Sequence, residues 1–215
     1  MIAKEELNIL WSLEQTAEKY EDRVAVSDVN QEMTWKGLVK KAQVIGAELS
    51  KKVQPGNPIP VLLEKSSETL AVMLGIVYAG CFYVPVNPMN PAERLRKIME
   101  KLEPEVIISD EKGKEQLAAV GVGLEEKVIG PETLLPTTGT DLSEEQRSRL
   151  EQIQGQWKET DALYGIFTSG STGTPKAIVV SHGAASRFIR HFTEIFEITS
   201  EDVIGNQAPF DFDVS

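Results

Sequence analysis

The 215-residue sequence holds one cysteine, Cys81, and two histidines, His182 and His191. A single thiol excludes an intrachain disulfide and suits a reducing compartment. Two distant histidines and one cysteine do not build a metal-ligand cluster, so no metal site is expected from them. Long apolar runs are missing as well: none approaches the ~20 residues of a membrane span. The opening MIAKEELN lacks the apolar core of a signal peptide. Positive charge is in short supply, with 22 Lys and Arg against 33 Asp and Glu and a net charge of −11. That balance argues against a general nucleic-acid or anionic-membrane surface, so any phosphate must be held by local groups. Together these absences predict a soluble, cytoplasmic protein without nucleic-acid or membrane partners. Hydrophobic content of 41% and charged content of 26% are ordinary globular values, and no internal repeat is evident.

What is present alternates. Apolar spacing predicts a helix over residues 8–20, a hairpin over 23–33, and a long helix capped by Thr34 that buries Leu38, Ala42, Ile45 and Leu49. A strand at 59–63 and a helix at 66–78 follow, then a strand at 81–86, where Cys81 reads as a core thiol. Asn90 is expected to cap the next helix, with Pro91 in its first position and Glu93 three residues after the cap. Strands at 106–108 and 127–129 frame a short helix at 114–120. This rhythm predicts an α/β fold: a mostly parallel sheet with helices on both faces. Residues 130–142 are rich in Pro, Thr and Gly, and a polar helix from Ser143 has few apolar anchors. The stretch 130–160 therefore reads as a flexible surface excursion within one domain.

The most informative stretch is LYGIFTSGSTGTPKAIVVSH, residues 163–182. Two apolar runs flank Thr168, Ser169, Gly170, Ser171, Thr172, Gly173, Thr174, Pro175 and Lys176: five hydroxyls, two glycines and a lysine in nine positions. Glycines let the backbone approach an anion, consecutive N–H groups form an anion-binding nest, and the lysine adds charge. This is phosphate-binding chemistry. A Walker A loop would need glycine at 175, Ser or Thr at 177 and a following helix. The sequence has Pro175, Ala177 and a β-branched run. His182, expected at the strand end beside the loop, and His191, on the following helix, read as structural or solvent-facing rather than catalytic.

The loop resembles the signature [ST]-S-G-[ST]-[ST]-G-x-P-K-G of the adenylate-forming, AMP-binding superfamily, departing from it at Ala177. The block YAGCFYVPVNPMNPAERL, residues 78–95, is similar to that family's K-A-G-x-x-Y-V-P-[ILV]-[DN]-P-x-x-P-x-x-R-[IL]. The segment MTWKGL, 33–38, resembles an early family motif with Gly37 in place of glutamate. The final F-D-x-S (Phe212, Asp213, Ser215) is similar to the segment of amino-acid-adenylating members whose aspartate pairs with the substrate ammonium. NQAPFDFDVS as a whole looks like the D-alanine–carrier-protein ligases.

The resemblance implies the first part of the large N-terminal domain of the adenylate-forming fold. Residues 1–215 would stop before the rest of that domain and the C-terminal lid domain. It implies ATP and Mg²⁺ as cofactors, and an amino acid, with D-alanine the leading candidate, as the acid whose carboxylate attacks the α-phosphate to give an adenylate. A carrier protein's phosphopantetheine thiol would then accept the acyl group. Thr168, Ser169, Gly170, Ser171, Thr172, Gly173, Thr174 and Lys176 would hold the phosphates, with Lys176 the catalytic cation, and Asp213 would bind the substrate. These 215 residues alone would be inactive and, with an apolar face uncovered, would self-associate. Two other readings stand: part of an acyl- or aryl-CoA ligase, and a non-catalytic degenerate binding module.

Overall fold

In the computed structural model, residues 5–120, 123–135, 141–168 and 175–212 are described. Helix α1 (Ile9–Lys19) starts where the Leu10 amide donates to Asn8 Oδ1 at 2.9 Å. Strands β1 (Val24–Ser27) and β2 (Glu32–Thr34) pair antiparallel. Their turn is fixed by Asp28, whose carboxylate accepts from the amides of Asn30 and Gln31 and from the amide and hydroxyl of Ser67. Those four donors hold the Asp28 carboxyl far below the usual carboxylate range. Thr34 caps α2 (Trp35–Leu49) by accepting from the Gly37 amide at 3.1 Å, and Leu38, Ala42, Ile45 and Leu49 are buried as their spacing predicts.

The main sheet begins with β3 (Pro58–Leu62). It continues through α3 (Ser67–Tyr78), β4 (Phe82–Pro85), α4 (Ala92–Leu102), β5 (Ile107–Ser109), α5 (Glu111–Val120) and β6 (Val128–Ile129). After α6 (Glu144–Gly155) come β7 (Ala162–Thr168), β8 (Lys176–Ser181) and α7 (His182–Ile195). The strand order is β6-β5-β3-β4-β7-β8, parallel throughout except for the antiparallel β7–β8 pair at one edge. The expected mostly parallel α/β sheet is what forms.

Right-handed crossovers put helices that move in opposite directions along the sheet on opposite faces. Accordingly α2, α3 and α6 pack together on one side and α4 with α5 on the other. Leu95, Ile98 and Met99 of α4 and Leu117 of α5 share a cluster with Leu62, Val84 and Ile107. The α2–α3 contact is close because of two glycines. A Cβ at Gly46 would stand 2.5 Å from Tyr78 Cβ, and one at Gly75 would stand 2.4 Å from Ile45 Cγ2.

Two local readings shift. Pro91 itself, not Asn90, occupies the cap of α4 and makes no side-chain capping bond; the helix starts at Ala92. Asn90 is drawn into the preceding turn, its amide donating to the Asn87 carbonyl at 3.0 Å. Helix α5 begins at Glu111, earlier than its apolar spacing indicates, because Asp110 Oδ1 accepts from the Gly113 amide at 2.8 Å. Between β6 and β7, Ser143 and Gln146 form a capping box that starts α6. The helix docks through buried Leu150 and through Arg149, whose Nε donates to Ser50 Oγ at 2.7 Å. Cys81 is buried, donates to the Gln54 carbonyl, and has its thiol pushed up to about 11 by desolvation, which is the chemistry of a core thiol.

Candidate phosphate and amino-acid site

Strands β7 and β8 form the frame of the glycine- and hydroxyl-rich loop. Thr168 ends β7 and Lys176 opens β8, and the two residues are register partners across the hairpin. Thr168 and Lys176 are both exposed at this end. Ser169, Gly170, Ser171, Thr172, Gly173 and Thr174 lie outside the described residues, as does Asp213.

The two stems of the loop are each met by a cation from α4. Arg94 Nη2 donates to the Phe167 carbonyl at 3.3 Å, one residue before Thr168, and Lys101 Nζ donates to the Pro175 carbonyl at 3.4 Å, one residue before Lys176. Pro175 is buried beneath them. Sequence spacing did not reveal this pairing, because 73 and 74 residues separate the partners. Its one trace in the sequence is that Arg94 belongs to the P-x-x-R part of the 78–95 block. Lys176, Arg94 and Lys101 thus supply positive charge around a hydroxyl-rich loop in a chain of net charge −11. That donor set fits the polyphosphate of ATP. The residues that would hold it are Thr168 and Lys176 together with the loop between them. Among the described residues no three His, Cys, Asp or Glu side chains gather into a metal-binding group.

His182 stands elsewhere than expected. It follows Ser181, which pairs with Ala162 at the opposite end of the hairpin from Thr168 and Lys176. With five steps of strand between, the loop is roughly 17 Å away. His182 is buried, packs edge-on to Trp157 with ring centroids 5.7 Å apart, and donates its backbone N–H to the Asp161 carbonyl. Burial pushes its imidazole down to about 4. His191 is exposed on α7. His182 is thus a buried side chain of the hairpin's far end and His191 a solvent-facing one.

The second part of the candidate site is the stretch of residues 206–212. Residues 206–211 run past the carboxyl ends of β3 and β4, where Pro209, Phe210 and Asp211 wall a pocket of about 190 Å³ with Val61, Pro85 and Val86. Lys65 Nζ holds this stretch through the carbonyls of Asn206 and Ala208. Asp211 is half-buried at the pocket wall.

The apolar stripe of α7 is oriented differently from an ordinary amphipathic helix. Ala185 is buried, but Phe188, Ile189, Phe192 and Phe196 are exposed, as are Ile178 and Val179 on edge strand β8. No helix among the described residues is long and apolar enough to cross a membrane.

Residues 13–215 match the sequence family described as AMP-binding enzyme. The chain is similar to tyrocidine synthase 1 of Brevibacillus parabrevis, at 30% identity over 203 residues, covering 94% of this chain and 18% of that protein. It is also similar to the D-alanine–D-alanyl carrier protein ligase of Staphylococcus aureus (strain MRSA252), at 28% identity over 211 residues, covering 97% of this chain and 39% of that protein. The chain therefore spans well under half of either relative. Among solved structures, it is similar to the nonribosomal peptide synthetase FmoA3, with a TM-score of 0.79 at 24% identity over 96% of this chain and 20% of that one. It is similar to VinN with a TM-score of 0.78 at 22% identity, over 99% of this chain and 52% of that one. At such identities these two structures speak for the fold.

Proposed function

Because the chain belongs to the AMP-binding enzyme family, we propose that it is the phosphate-loop portion of an AMP-forming ligase. In this reading the parent enzyme uses ATP·Mg²⁺ to activate an amino acid as its aminoacyl-adenylate. It then passes the acyl group to the phosphopantetheine thiol of a carrier protein in the cytoplasm. The observation that carries the reading is the β7–β8 hairpin, with Thr168 and Lys176 at its loop end and a cation of α4 against each stem. Preorganised positive charge there would stabilise the charge that builds on departing pyrophosphate. Lys176 is the residue assigned to that task, and the hydroxyls and amides of residues 168–174 are assigned to cradling the phosphates.

The amino-acid class is supported by the F-D-x-S segment, in which Asp213 would pair with a substrate ammonium. A charge-assisted hydrogen bond of that kind contributes ~1.5–3 kcal/mol. D-alanine is the leading substrate, on the likeness of residues 206–215 to D-alanine–carrier-protein ligases and the similarity to the staphylococcal ligase over nearly the whole chain. The 215 residues alone are held to be inactive, since the relatives carry most of their length outside the matched region. The test is acid-dependent ATP–pyrophosphate exchange by the full-length protein, screened with D-alanine, L-amino acids, and fatty and aryl acids. Exchange with D-alanine supports the reading as stated. Exchange only with acids that lack an amine moves the protein to the acyl- or aryl-CoA ligases, and none with any acid leaves a binding module.

A further inference from the structure

Strand β3 leads into α3 on one face of the sheet and β4 leads into α4 on the other. Where neighbouring parallel strands send their connections to opposite faces, a crevice opens outside their carboxyl ends, and ligands of open α/β sheets bind there. In this protein the crevice between β3 and β4 is crossed by residues 206–211. A lysine side chain reaches them there. Lys65, three residues past the end of β3, places its ammonium 2.5 Å from the Asn206 carbonyl, 2.6 Å from Asn206 Oδ1 and 2.7 Å from the Ala208 carbonyl. An ammonium has three donors, and all three are directed at this segment. The same cation lies 5.6 Å from the centre of the Phe210 ring, a cation–π distance. Phe210 in turn packs against the main core. Upstream, Val203 and Ile204 are 98% and 71% exposed, so apolar packing does not seat that side of the segment.

We propose that Lys65 is a positioning residue of the amino-acid site: its ammonium fixes residues 206–210 across the β3–β4 crevice and thereby sets the course of the chain into Asp213. The inference rests on the proposed role of Asp213 as the partner of the substrate ammonium. Lysine suits the task because its three donors can turn toward three convergent oxygens, whereas a guanidinium presents a flat fork. Lys65 is exposed and outside the core, so its replacement leaves the fold intact.

The experiment uses the full-length protein with Lys65→Met, which keeps most of the unbranched side chain without its charge, and Lys65→Arg, which keeps the charge. Two readouts are taken: the rate of chymotrypsin cleavage after Phe210, and KM for the amino acid and for ATP in pyrophosphate exchange. In Lys65→Met, cleavage after Phe210 should rise about tenfold or more, since several charged hydrogen bonds hold the segment closed. KM for the amino acid should rise by about the same factor while KM for ATP stays within about twofold, and Lys65→Arg should recover part of both. Unchanged cleavage overturns the clamp. Faster cleavage with an unchanged amino-acid KM overturns the positioning role and leaves Lys65 a structural fastening. If the unsubstituted protein shows no exchange with any acid, the proposed function fails and the positioning role with it, while the cleavage rates still decide the clamp.

Discussion

Arg94 on α4 donates through Nη2 to the carbonyl oxygen of Phe167 at 3.3 Å, bridging the helix to the strand that enters the glycine- and hydroxyl-rich loop proposed to bind phosphate. With Lys101 on the Pro175 carbonyl, one helix steadies both stems of a single loop. A charged hydrogen bond contributes ~1.5–3 kcal/mol, and a loop that must meet phosphates in one geometry loses its advantage when its stems drift. Arg94→Ala in the full-length enzyme is therefore expected to raise KM for ATP about tenfold, with KM for the amino acid little changed. Initial-rate pyrophosphate exchange at varied ATP checks this. An unaltered KM for ATP would show that the stems hold their place without Arg94.

The approach of α2 to α3 sets the second expectation. Neither Gly46 nor Gly75 has room for a methyl group, and at Gly46 the obstacles include the Gly75 carbonyl oxygen at 2.8 Å, which is backbone and cannot rotate away. Gly46→Ala should destabilise the protein by about 2–3 kcal/mol through overpacking, despite alanine's better helix propensity. Urea unfolding measures it. A neutral or stabilising effect would mean that α2 and α3 can separate at little cost.

Much of this architecture was legible because its signals are local. Thr34, Ser66 and Ser143 each cap the helix that their spacing announces, accepting an amide three residues on. The apolar runs of β3, β5 and β7 were readable as strands of a sheet covered on both faces. What was not legible depends on approaches between distant segments. Arg94, Lys101 and Lys65 look like surface cations until the fold brings Phe167, Pro175 and Asn206 to them. The position of His182 was misjudged because an antiparallel hairpin sends its second strand away from the loop, so a residue after β8 ends far from the residues before it. Apolar residues recur along α7 at helical spacing, but such spacing does not say whether a partner covers them.

His182 gives the acid side of the stability profile a specific contribution. Its imidazole is pushed from the usual 6.5 down to about 4 by burial, against the raising influence of Asp161. Among the described residues Nδ1 has no hydrogen-bond partner, so a proton added there would go unsatisfied. A lowered folded-state value means that the unfolded chain binds the proton more readily. The stabilisation is complete above about pH 6.5 and is lost as pH falls toward 4, a contribution of about 3 kcal/mol. Asp28, its carboxyl held low by four donors, adds acid sensitivity of the same sign at lower pH. The His182→Gln variant should show a flatter dependence between pH 6.5 and 4.5 than the unsubstituted protein, measured by urea unfolding at a series of pH values. Parallel profiles would remove His182 from the account.

Asp213 carries the substrate assignment, and its replacement separates the two ligase readings. A carboxylate opposite an ammonium discriminates strongly, because its loss leaves the substrate's charge unpaired on binding. Asp213→Ala is expected to lower D-alanine-dependent exchange by 10²-fold or about that, with ATP binding retained. Retention of full activity would reduce Asp213 to a surface acid and withdraw the amino-acid class along with D-alanine.

The last expectation concerns the face formed by α7 and β8. Phe188, Phe192 and Phe196 form a contiguous aromatic row, with ring centroids 5.7 and 4.5 Å apart, and are 67%, 40% and 63% exposed. Ile178, two residues before Val180, which packs with Ala185, extends the apolar surface of that face onto β8, which lies at the edge of the sheet. Contiguous apolar surface beside an edge strand favours pairing with another chain. Residues 1–215 produced alone should therefore associate as concentration rises, and Phe192→Glu, which places a charge in the middle of the row, should shift the chain toward monomer. Light scattering across a wide concentration range reads both. A strictly monomeric species at every concentration would show that the polar groups around this face, Arg190 and Glu194 among them, are enough to keep it in water.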